Sequence, residues 1–590
     1  MNIGIDFGST YSLITTFDNK EKKLRELKPQ GDMAVTPSYV SIDKEDESEV
    51  QFGSFAKSQI YDTNYDHFSG FKMMLVEKNK DILKANGYNS KHTPKYISRL
   101  FLEQMLNGIL ITESPAGSDT DISTGYDNVY ICVPELWAKY AKTIDGCYAL
   151  KNILNDELGI KKVTIVMEPE AASAYFAYIY KKNTGNDFNG HLFLIDFGGG
   201  TLDVTLSKVV SDGKGSITIK RVNSDGMGEN HQDIYGMTES GQAGMAYIQR
   251  LTLNVLANNG ITDADTVSSD FRKTIVELEN ALMSSKGIAG IRDTFSRFSN
   301  YGRFKKILDE KYADAGNPRN IFTRFRYQGT RYSVRYADLF EAYRQVIEKG
   351  LDDTIKRMCF VSQTYTHKDP CTIEAGESDD FKIALVGGFG SFYFVQKQIE
   401  EIFNIDDINS DCRTKGLTVS ENEKAVSYGA ALLAAGKVIL KTTASYGLGL
   451  QVRSRNDSTK RHLIYAIRYS QEISENTVYY VTESNGHRPK FTSVHEVIHR
   501  LISNDNTDDA KGYTMMMKYE YIRTLSTLPT KGIFYIGFSI DENHIITLHI
   551  VSASDETIDY KYPLDNYEMM FDMQTVDDVY EGESLNDGKF

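Results

Sequence analysis

The sequence has no long hydrophobic run. Hydrophobic residues make up 41% of the chain, yet no stretch approaches the roughly 20 apolar residues that a membrane-spanning helix needs. The N-terminus begins M-N-I-G-I-D, which indicates a strand and lacks the basic and apolar regions of a secretory signal peptide. We therefore expect no membrane partner and a cytoplasmic location.

Cysteine and excess basic charge are also scarce. The five cysteines are scattered, and no two of them form a C-x-x-C pair. This usage favours reduced thiols in the cytoplasm over a disulfide framework. Lys and Arg number 66 against 81 Asp and Glu, which gives a net charge of −15. Because phosphate backbones attract cationic proteins, we expect no nucleic-acid partner.

Short β-branched runs alternate with longer helical patterns in the first three quarters of the chain. The strand-like runs are Asn2–Asp6, Tyr39–Ile42, Val129–Val133, Val163–Met167, Leu192–Asp196, Val204–Val209 and Ile383–Val386. The helical patterns are Ala138–Leu158, Ala171–Lys181 and Ser420–Lys437. Such alternation is typical of α/β layers rather than of a helical bundle or a sandwich.

The 590 residues are too many for one hydrophobic core, so we expect several domains. The α/β pattern covers residues 1–437, and 438–444 would be a linker. Strand-like segments joined by turns, among them Tyr513–Tyr521, then predict a β-rich domain over 445–565. The acidic segment 566–590 is predicted to be a disordered tail.

Two similar glycine-containing loops each follow a buried-looking strand. D-F-G-S-T begins at Asp6, and D-F-G-G-G-T-L-D begins at Asp196. Glycines at a hairpin tip let backbone N–H groups approach phosphate oxygens, and Ser9, Thr10 and Thr201 add short hydroxyl donors. An aspartate at each strand end suits hydrated Mg²⁺. The internal repeat predicts a duplicated lobe with a cleft between the halves.

Several short motifs follow one another in a characteristic order. They are I-G-I-D-F-G-S-T-Y-S (3–12), T-P-S-Y-V (36–40), V-P-E-L-W (133–137), M-E-P-E-A-A-S-A-Y (167–175), L-I-D-F-G-G-G-T-L-D-V (194–204), A-L-V-G-G-F-G (384–390) and A-V-S-Y-G-A-A (425–431). In their residues and their order these motifs resemble those of the 70-kDa heat-shock chaperone family, within the actin-like ATPase superfamily. L-P-T-K-G-I-F (528–534) more faintly resembles the end of that family's peptide-binding β-sandwich. The resemblance implies a duplicated, actin-like two-lobed ATPase domain of α/β class, followed by a small β-sandwich-like domain.

The resemblance implies hydrolysis of ATP to ADP and phosphate, with ATP/ADP and Mg²⁺ as cofactors. Lys72 would lie beside the γ-phosphate and stabilise the charge that builds up during transfer. Glu168 and Asp203 would orient the attacking water, and Thr201 would contact the γ-phosphate. Asp196 completes the implied catalytic set.

Metal and nucleotide positions are implied in the same way. Asp6 and Asp196 would surround Mg²⁺ through water. The implied nucleotide-binding residues are Asp6, Gly8, Ser9, Thr10, Tyr11, Gly198, Gly199, Gly200, Thr201, Glu277, Ser284, Gly387, Gly388 and Glu423. Glu277 and Ser284 would hydrogen-bond the nucleoside from one face of a helix, two turns apart.

The chain departs from the family pattern around the base. Asn280 and Ala281 replace a lysine and an arginine, and Ser391 replaces an arginine that would stack on adenine. Without stacking guanidinium groups we expect weaker ATP binding and looser base selection. Glu423 also has a second interpretation, because S-E-N-E, which begins at Ser420, is a helix capping box.

A zinc-protease motif suggests an alternative function. H-E-V-I-H begins at His495, with His495 and His499 as potential ligands and Glu496 as the base. Glu520 follows at a spacing where a third ligand could occur. That chemistry needs helices, whereas the residues around Glu520 indicate a strand. We therefore expect a solvated amphipathic segment here rather than a zinc site.

The first functional hypothesis is an ATP-dependent chaperone-like protein. ATP would close the cleft, and the V-I-L segment at Val438 would carry the change to the β-domain, which holds an unfolded polypeptide. A co-chaperone or nucleotide-exchange factor is a possible partner. The alternative is a non-chaperone ATPase switch with one dedicated protein client. It is favoured by the short segment after Asp565, which is too short for the family's helical lid. A sugar or carboxylate kinase and a filament former are disfavoured by the β-domain.

Overall fold

The computed structural model of the protein describes most of the first 440 residues and a smaller share of the remainder. The described residues are 1–113, 120–134, 137, 144–213, 217–228, 243–266, 268–297, 301, 317–408, 410–411, 414, 422–440, 447–453, 461–468, 471–474, 477–483, 485–492, 501–504, 519–521, 529, 531–540 and 545–566. Within these ranges, no helix combines the length and the apolar character needed to cross a membrane.

Contacts divide the chain into two compact units. The first unit comprises Met1–Glu135, Asp145–Gly215 and Asn223–Val438, and the second comprises Leu136–Ile144, Ser216–Val222 and Ile439–Phe590. The strands up to Val386 are β1 (Asn2–Asp6), β2 (Tyr11–Asp18), β3 (Lys23–Glu26), β4 (Thr36–Pro37), β5 (Tyr39–Asp43), β6 (Val50–Phe52), β7 (Tyr65–Ser69), β8 (Asn128–Val133), β9 (Val163–Met167), β10 (Gly190–Phe197), β11 (Thr201–Ser211), β12 (Ile217–Gly228), β13 (Ile321–Tyr327), β14 (Thr330–Arg335) and β15 (Phe381–Val386).

Helices cover these strands. The α-helices are α1 (Gly53–Ser58), α2 (Phe71–Met74), α3 (Lys80–Ala85), α4 (Pro94–Glu113), α5 (Ile122–Gly125), α6 (Ile144–Asn152), α7 (Glu168–Thr184), α8 (Gly244–Asn258), α9 (Ser269–Met283), α10 (Ser285–Phe295), α11 (Tyr336–Tyr343), α12 (Lys349–Thr366), α13 (Tyr393–Phe403) and α14 (Ala425–Ala434). Short π-helical turns continue α6 and α11 at Ile153–Glu157 and Arg344–Glu348, and 3₁₀ turns lie at Pro318–Asn320, Ala375–Asp380 and Gly388–Ser391.

Two of the sheets follow the same plan. One has the order β3-β2-β1-β8-β9, with β4 also paired to β2, and the other has the order β12-β11-β10-β15. In each, an antiparallel hairpin (β1–β2 or β10–β11) supplies a strand that pairs in parallel with a later strand, β8 or β15. Strands next to parallel neighbours are covered on both faces, which explains the continuous apolar runs N-I-G-I and L-F-L-I. The prediction of a mixed α/β architecture is confirmed.

The element predictions for the first 437 residues are largely confirmed. All seven strand-like runs fall inside strands of the structure, and the pattern Ala171–Lys181 falls inside α7. The helix predicted over Ser420–Lys437 is too long, because α14 ends at Ala434 and Gly436 turns the chain with φ +63°. Of Ala138–Leu158, residues 138–143 lie outside the described residues.

Helix α14 packs very closely on β1 and α7. A Cβ added at Gly4 would lie 2.2 Å from the backbone N of Ala431, and one added at Gly429 would lie 1.7 Å from the carbonyl O of Ala171. Only glycine permits such contact. The A-V-S-Y-G-A-A motif therefore fixes β1, the strand that ends at Asp6.

The second unit contains two antiparallel sheets. Its strands are β16 (Gly447–Arg453), β17 (Arg461–Ile467), β18 (Tyr479–Tyr480), β19 (Leu501–Asn504), β20 (Tyr519–Tyr521), β21 (Phe534–Ile540), β22 (Ile545–Ser552) and β23 (Asp559–Asn566). Their orders are β17-β16-β19-β20 and β18-β21-β22-β23. Leu448 and Ile464 from the first sheet and Phe538 and Leu548 from the second belong to one buried core, as in a β-sandwich.

Some predictions for this half fall on undescribed residues. The strand predicted over 513–521 is described only at Tyr519–Tyr521, and the predicted disordered tail is described only at its first residue, Asn566. Of the predicted linker, residues 441–444 lie outside the described residues. Val438 is buried, whereas Ile439 is 50% exposed.

His191, near the start of β10, makes stability depend on pH. Burial, followed by the nearby charge of Lys208, lowers its pKa from 6.5 to about 4. The unfolded chain therefore binds the extra proton between these two values, so stability is full above pH 6.5 and falls as the pH falls towards 4. Between pH 6.5 and 4 we therefore expect acidification to lower the Tm of the unaltered chain relative to that of His191→Gln. Calorimetric scans at several pH values test this, and equal slopes for both proteins would contradict it.

Candidate functional site

The two glycine loops face each other. A Cβ added at Gly199 would lie 2.3 Å from the Oγ1 of Thr10, and one added at Gly200 would lie 2.8 Å from the Oγ of Ser9. The tip of the β10–β11 hairpin is therefore in contact with the tip of the β1–β2 hairpin. Both hairpins were predicted, and the structure brings their hydroxyl and glycine residues together.

Local hydrogen bonds shape each loop. The backbone N–H of Gly8 donates to Ser12 Oγ (3.2 Å), and Ser38 Oγ donates to the carbonyl of Gly8 (2.7 Å). In the second loop the N–H of Gly198 donates to the carbonyl of Thr201 (2.9 Å). These bonds hold the loops in shape, as a preorganised phosphate site requires.

Beneath the loops lies a buried ion pair. The Nζ of Lys72 is 2.6 Å from Oε1 of Glu168, and the two residues are only 3% and 9% exposed. Lys72 belongs to α2, and Glu168 is the first residue of α7, which directly follows β9. The helix N-terminus favours the carboxylate at this position. Two residues predicted to be catalytic are thus brought together from positions 96 apart.

The surrounding charges are mutually dependent. Burial, and then the charge of Glu168, raises the pKa of Asp6 to about 7. Burial and the charges of Glu168, Asp203 and Asp6 also raise the pKa of Asp196. Burial acts to lower the pKa of Lys72, but Glu168 and Asp6 outweigh it, so this pKa is raised and the ammonium group stays charged. Asp6, Glu168, Asp196 and Asp203 therefore form a carboxylate-rich cluster with Lys72.

The remaining predicted catalytic residues lie on the same hairpin. Asp203 is buried on β11 and pairs directly across the hairpin with Asp196, and Thr201 is the first residue of β11. Carboxylates that repel one another are stabilised by a divalent cation. The donor set therefore fits Mg²⁺, which Asp6 and Asp196 could hold through water.

A third glycine loop touches Asp196. Gly387 has φ +83°, and a Cβ added there would lie 2.5 Å from Oδ1 of Asp196. Gly388 begins the following 3₁₀ turn, and Gly387 donates its N–H to the carbonyl of Asn422 (3.3 Å). Glu423 is exposed in the turn before α14, and its predicted capping partner, Ser420, lies outside the described residues.

The two predicted nucleoside ligands are engaged in local contacts. Glu277, on α9, accepts hydrogen bonds from the hydroxyl of Tyr61 and the backbone N–H of Arg326, both at 3.0 Å. Ser284 lies one residue beyond α9 in an extended conformation and caps α10 by accepting the N–H of Gly287 at 3.0 Å. Ser284 is thus the C-cap of α9 rather than a residue within the helix, because α9 ends at Met283.

Sequence reasoning missed a second buried ion pair, beside Tyr11. The Nζ of Lys57 lies 2.9 Å from Oε2 of Glu279 and 3.1 Å from the hydroxyl of Tyr11. Glu279 is 2% exposed, and its other carboxylate oxygen finds no hydrogen-bond partner among the described residues. The pair joins α1 to α9. The only sequence signal for it was that Glu279 lies two residues after the predicted nucleoside ligand Glu277.

Two further clusters involve other residues of the chain. Ser539 Oγ, His549 and Asp559 form a hydrogen-bonded chain with both links at 2.7 Å, but Ser539 is 8% exposed and His549 4%. A serine so buried is poorly placed to attack a substrate. Cys359 and Cys371 lie 3.8 Å apart between sulfurs, and their hydrogen bond, together with burial, raises the pKa of Cys359.

The zinc motif is only partly visible. Residues 495–499 lie outside the described residues. Glu520 lies on β20, a strand. The helix that would present Glu520 as a third ligand is therefore not formed.

Comparison with known proteins gives a distant match. The chain is similar to the chaperone protein DnaK of Metamycoplasma hominis, with 27% identity over 209 residues. These residues are 35% of this chain and 30% of that relative, so the chain spans less than a third of the length of the relative it matches. No family model matches the chain. The similarity supports a distant relationship with the 70-kDa heat-shock chaperones over part of the sequence.

Proposed function

We propose that the chain binds Mg²⁺ and ATP in an actin-like cleft between duplicated lobes and hydrolyses ATP to ADP and phosphate. The observation that carries the proposal is the contact of the two glycine loops above the buried Lys72–Glu168 pair. Loop tips of this kind offer N–H and hydroxyl donors to phosphates. The shared plan of the two sheets supports duplicated lobes.

The side chains suggest how they would act on ATP. Ser9, Thr10 and Thr201 would bind the phosphates, and the ammonium group of Lys72 would stabilise negative charge on the transferring group. Asp203 and Glu168 would orient the attacking water. Bound Mg²⁺ would supply further positive charge at the phosphate oxygens.

The wider proposal is an ATP-dependent chaperone-like protein. Residues 1–437 would be the ATPase domain, 438–444 the linker and 445–565 a domain that holds a polypeptide. The limit of the first unit at Val438 and the sandwich of β16–β23 support this division. The distant similarity to a chaperone protein supports a polypeptide client.

The client is tested by binding to the complete chain. Immobilised protein should retain denatured model polypeptides, and added Mg²⁺ and ATP should speed their release. Retention of one native protein and of no denatured ones would instead favour an ATPase switch with a dedicated client. No ATP effect on release would contradict the proposed coupling.

Base selection should be loose. Ser391 donates its hydroxyl to the carbonyl of Gly388 (2.8 Å), and neither it nor Ala281 can stack on a base. We expect ATP and GTP affinities within about tenfold of each other, because no guanidinium stacks at these positions. Ser391→Arg should tighten ATP binding, whereas Ser391→Thr should not. Calorimetry with both nucleotides tests this, and strong ATP preference in the unaltered chain would contradict it.

A further inference from the structure

Two cavities lie within the first unit, and one of them adjoins the glycine loops. The smaller, of about 150 Å³, is lined by Ser9, Thr10, Gly199 and Gly200 together with residues of α8 and α9. The larger, of about 260 Å³, lies among β5, β7 and α9. Four residues line both cavities: Tyr39, Ile60, Ser69 and Arg272. Of these four, Arg272 alone carries a charge.

Among the residues that the structure describes, Arg272 has no counter-ion. It lies in the first half of α9 and is half-buried. Across the described part of the chain, no carboxylate lies within ion-pair distance of its guanidinium and no acceptor receives a hydrogen bond from it. By contrast, Lys72 is paired with Glu168 and Lys57 with Glu279. Partial burial of an unpaired charge is unfavourable, so this position favours an anionic ligand.

The size of the smaller cavity restricts that ligand. Pockets that enclose whole small molecules usually have about 300–1,000 Å³, so about 150 Å³ suits phosphate groups better than a complete nucleoside. The loop residues on its wall offer hydroxyl and N–H donors. A guanidinium adds two parallel donors that match the oxygens of one phosphate.

We propose that Arg272 binds the terminal phosphates of the nucleotide in the cavity that it shares with the two glycine loops. This inference rests on the proposed function. It adds Arg272, which belongs to none of the sequence motifs, to the residues that would bind the phosphates. Arg272 would distinguish triphosphates from monophosphates, because a nucleotide with one phosphate has fewer oxygens to reach it. It would also compensate for the cationic residues absent at Ala281 and Ser391.

Lys273 provides a matched control. It is the next residue on α9, carries the same charge and lines only the larger cavity. Its Nζ lies 5.6 Å from the centre of the Tyr61 ring, a cation–π contact. Lys273→Gln removes one positive charge from the same helix without touching the smaller cavity.

The test is calorimetric titration of the complete chain with ATP, AMP and inorganic tripolyphosphate in the presence of Mg²⁺. Arg272→Gln should weaken ATP and tripolyphosphate binding at least about tenfold, since charge-assisted hydrogen bonds are lost. AMP binding should change less than about threefold, and Lys273→Gln should change every affinity less than about threefold. Arg272→Lys should lie between, because it keeps the charge but not the paired donors. Thermal scans confirm that each variant is folded.

The possible outcomes separate this inference from the proposed function. Unchanged ATP affinity in folded Arg272→Gln, or an equal loss in Lys273→Gln, overturns the inference and leaves the ATP site standing. Binding of tripolyphosphate but not ATP, with dependence on Arg272, supports the phosphate site and overturns the nucleotide function. Binding of neither probe overturns both.

Discussion

Replacing Lys72 by methionine should lower ATP turnover by at least about 100-fold. The ammonium group is buried, charged and 2.6 Å from Glu168, and electrostatic groups of this kind contribute roughly 3–4 kcal/mol to the stability of a transition state. The measurement is steady-state phosphate release at saturating ATP. Because the loss should be greater in kcat than in KM, the two parameters are determined separately.

Two controls accompany this variant. Lys80→Met removes a lysine from exposed helix α3 and should leave turnover unchanged. Lys72→Arg keeps a counter-ion for Glu168, which protects the fold, but moves the positive charge and should still lower turnover. Wild-type turnover in folded Lys72→Met would remove Lys72 from the catalytic set.

Replacing Glu279 by leucine should destabilise the first unit by roughly 3–5 kcal/mol, because it leaves Lys57 buried without its partner. Lys57 and Glu279 are 9% and 2% exposed, and their charged atoms are 2.9 Å apart. Denaturant unfolding followed by circular dichroism gives the change in free energy. A loss under about 1 kcal/mol, as is usual for surface pairs, would contradict this account of the pair.

The double variant Lys57→Met with Glu279→Leu separates pairing from packing. Exchanging a whole buried pair for apolar residues is often neutral or stabilising, so the double variant should recover most of the lost stability. If the losses of stability in Lys57→Met and in Glu279→Leu simply add in the double variant, the two residues are not coupled. Lys273→Gln, on the same helix, should change stability by less than about 0.5 kcal/mol.

Local patterns predicted the frame of the site well. The runs ending at Asp6 and Asp196 were identified because they are apolar and are followed by glycines, and both form hairpins as expected. The repeat of D-F-G in one sequence also suggested that the loops belong together. The contact between the two loops depends on the tertiary fold, whereas each loop is recognisable from its own short motif.

Long-range pairing could not be predicted. Lys57 and Glu279 are 222 residues apart, and no local feature distinguishes a buried lysine on a short helix from an exposed one. Arg272 was missed for a related reason, because a missing partner is visible only when its neighbours are known. Helix ends were also misjudged. Ser284 continues an apparent helical pattern, but it is the C-cap of α9 and the N-cap of α10.

The predicted site residues differ in how closely the structure brings them together. Lys72, Glu168 and Asp203 lie in one charged cluster with Asp196, because the charge of each acts on the pKa of Asp196. Glu277 is held instead by contacts with its neighbours. We therefore expect the phosphate end of the site to be the more informative target for mutation.

The most direct test of the central claim is single-turnover phosphate release from Mg²⁺ and ATP by the complete chain and by Asp196→Asn. The carboxylate of Asp196 lies in the buried cluster between two glycine loops, and its loss should remove charge needed during transfer. We predict release by the unaltered chain and a rate at least about 100-fold lower in the folded variant. No release by the unaltered chain, or equal rates in both proteins, would contradict ATP hydrolysis at this site.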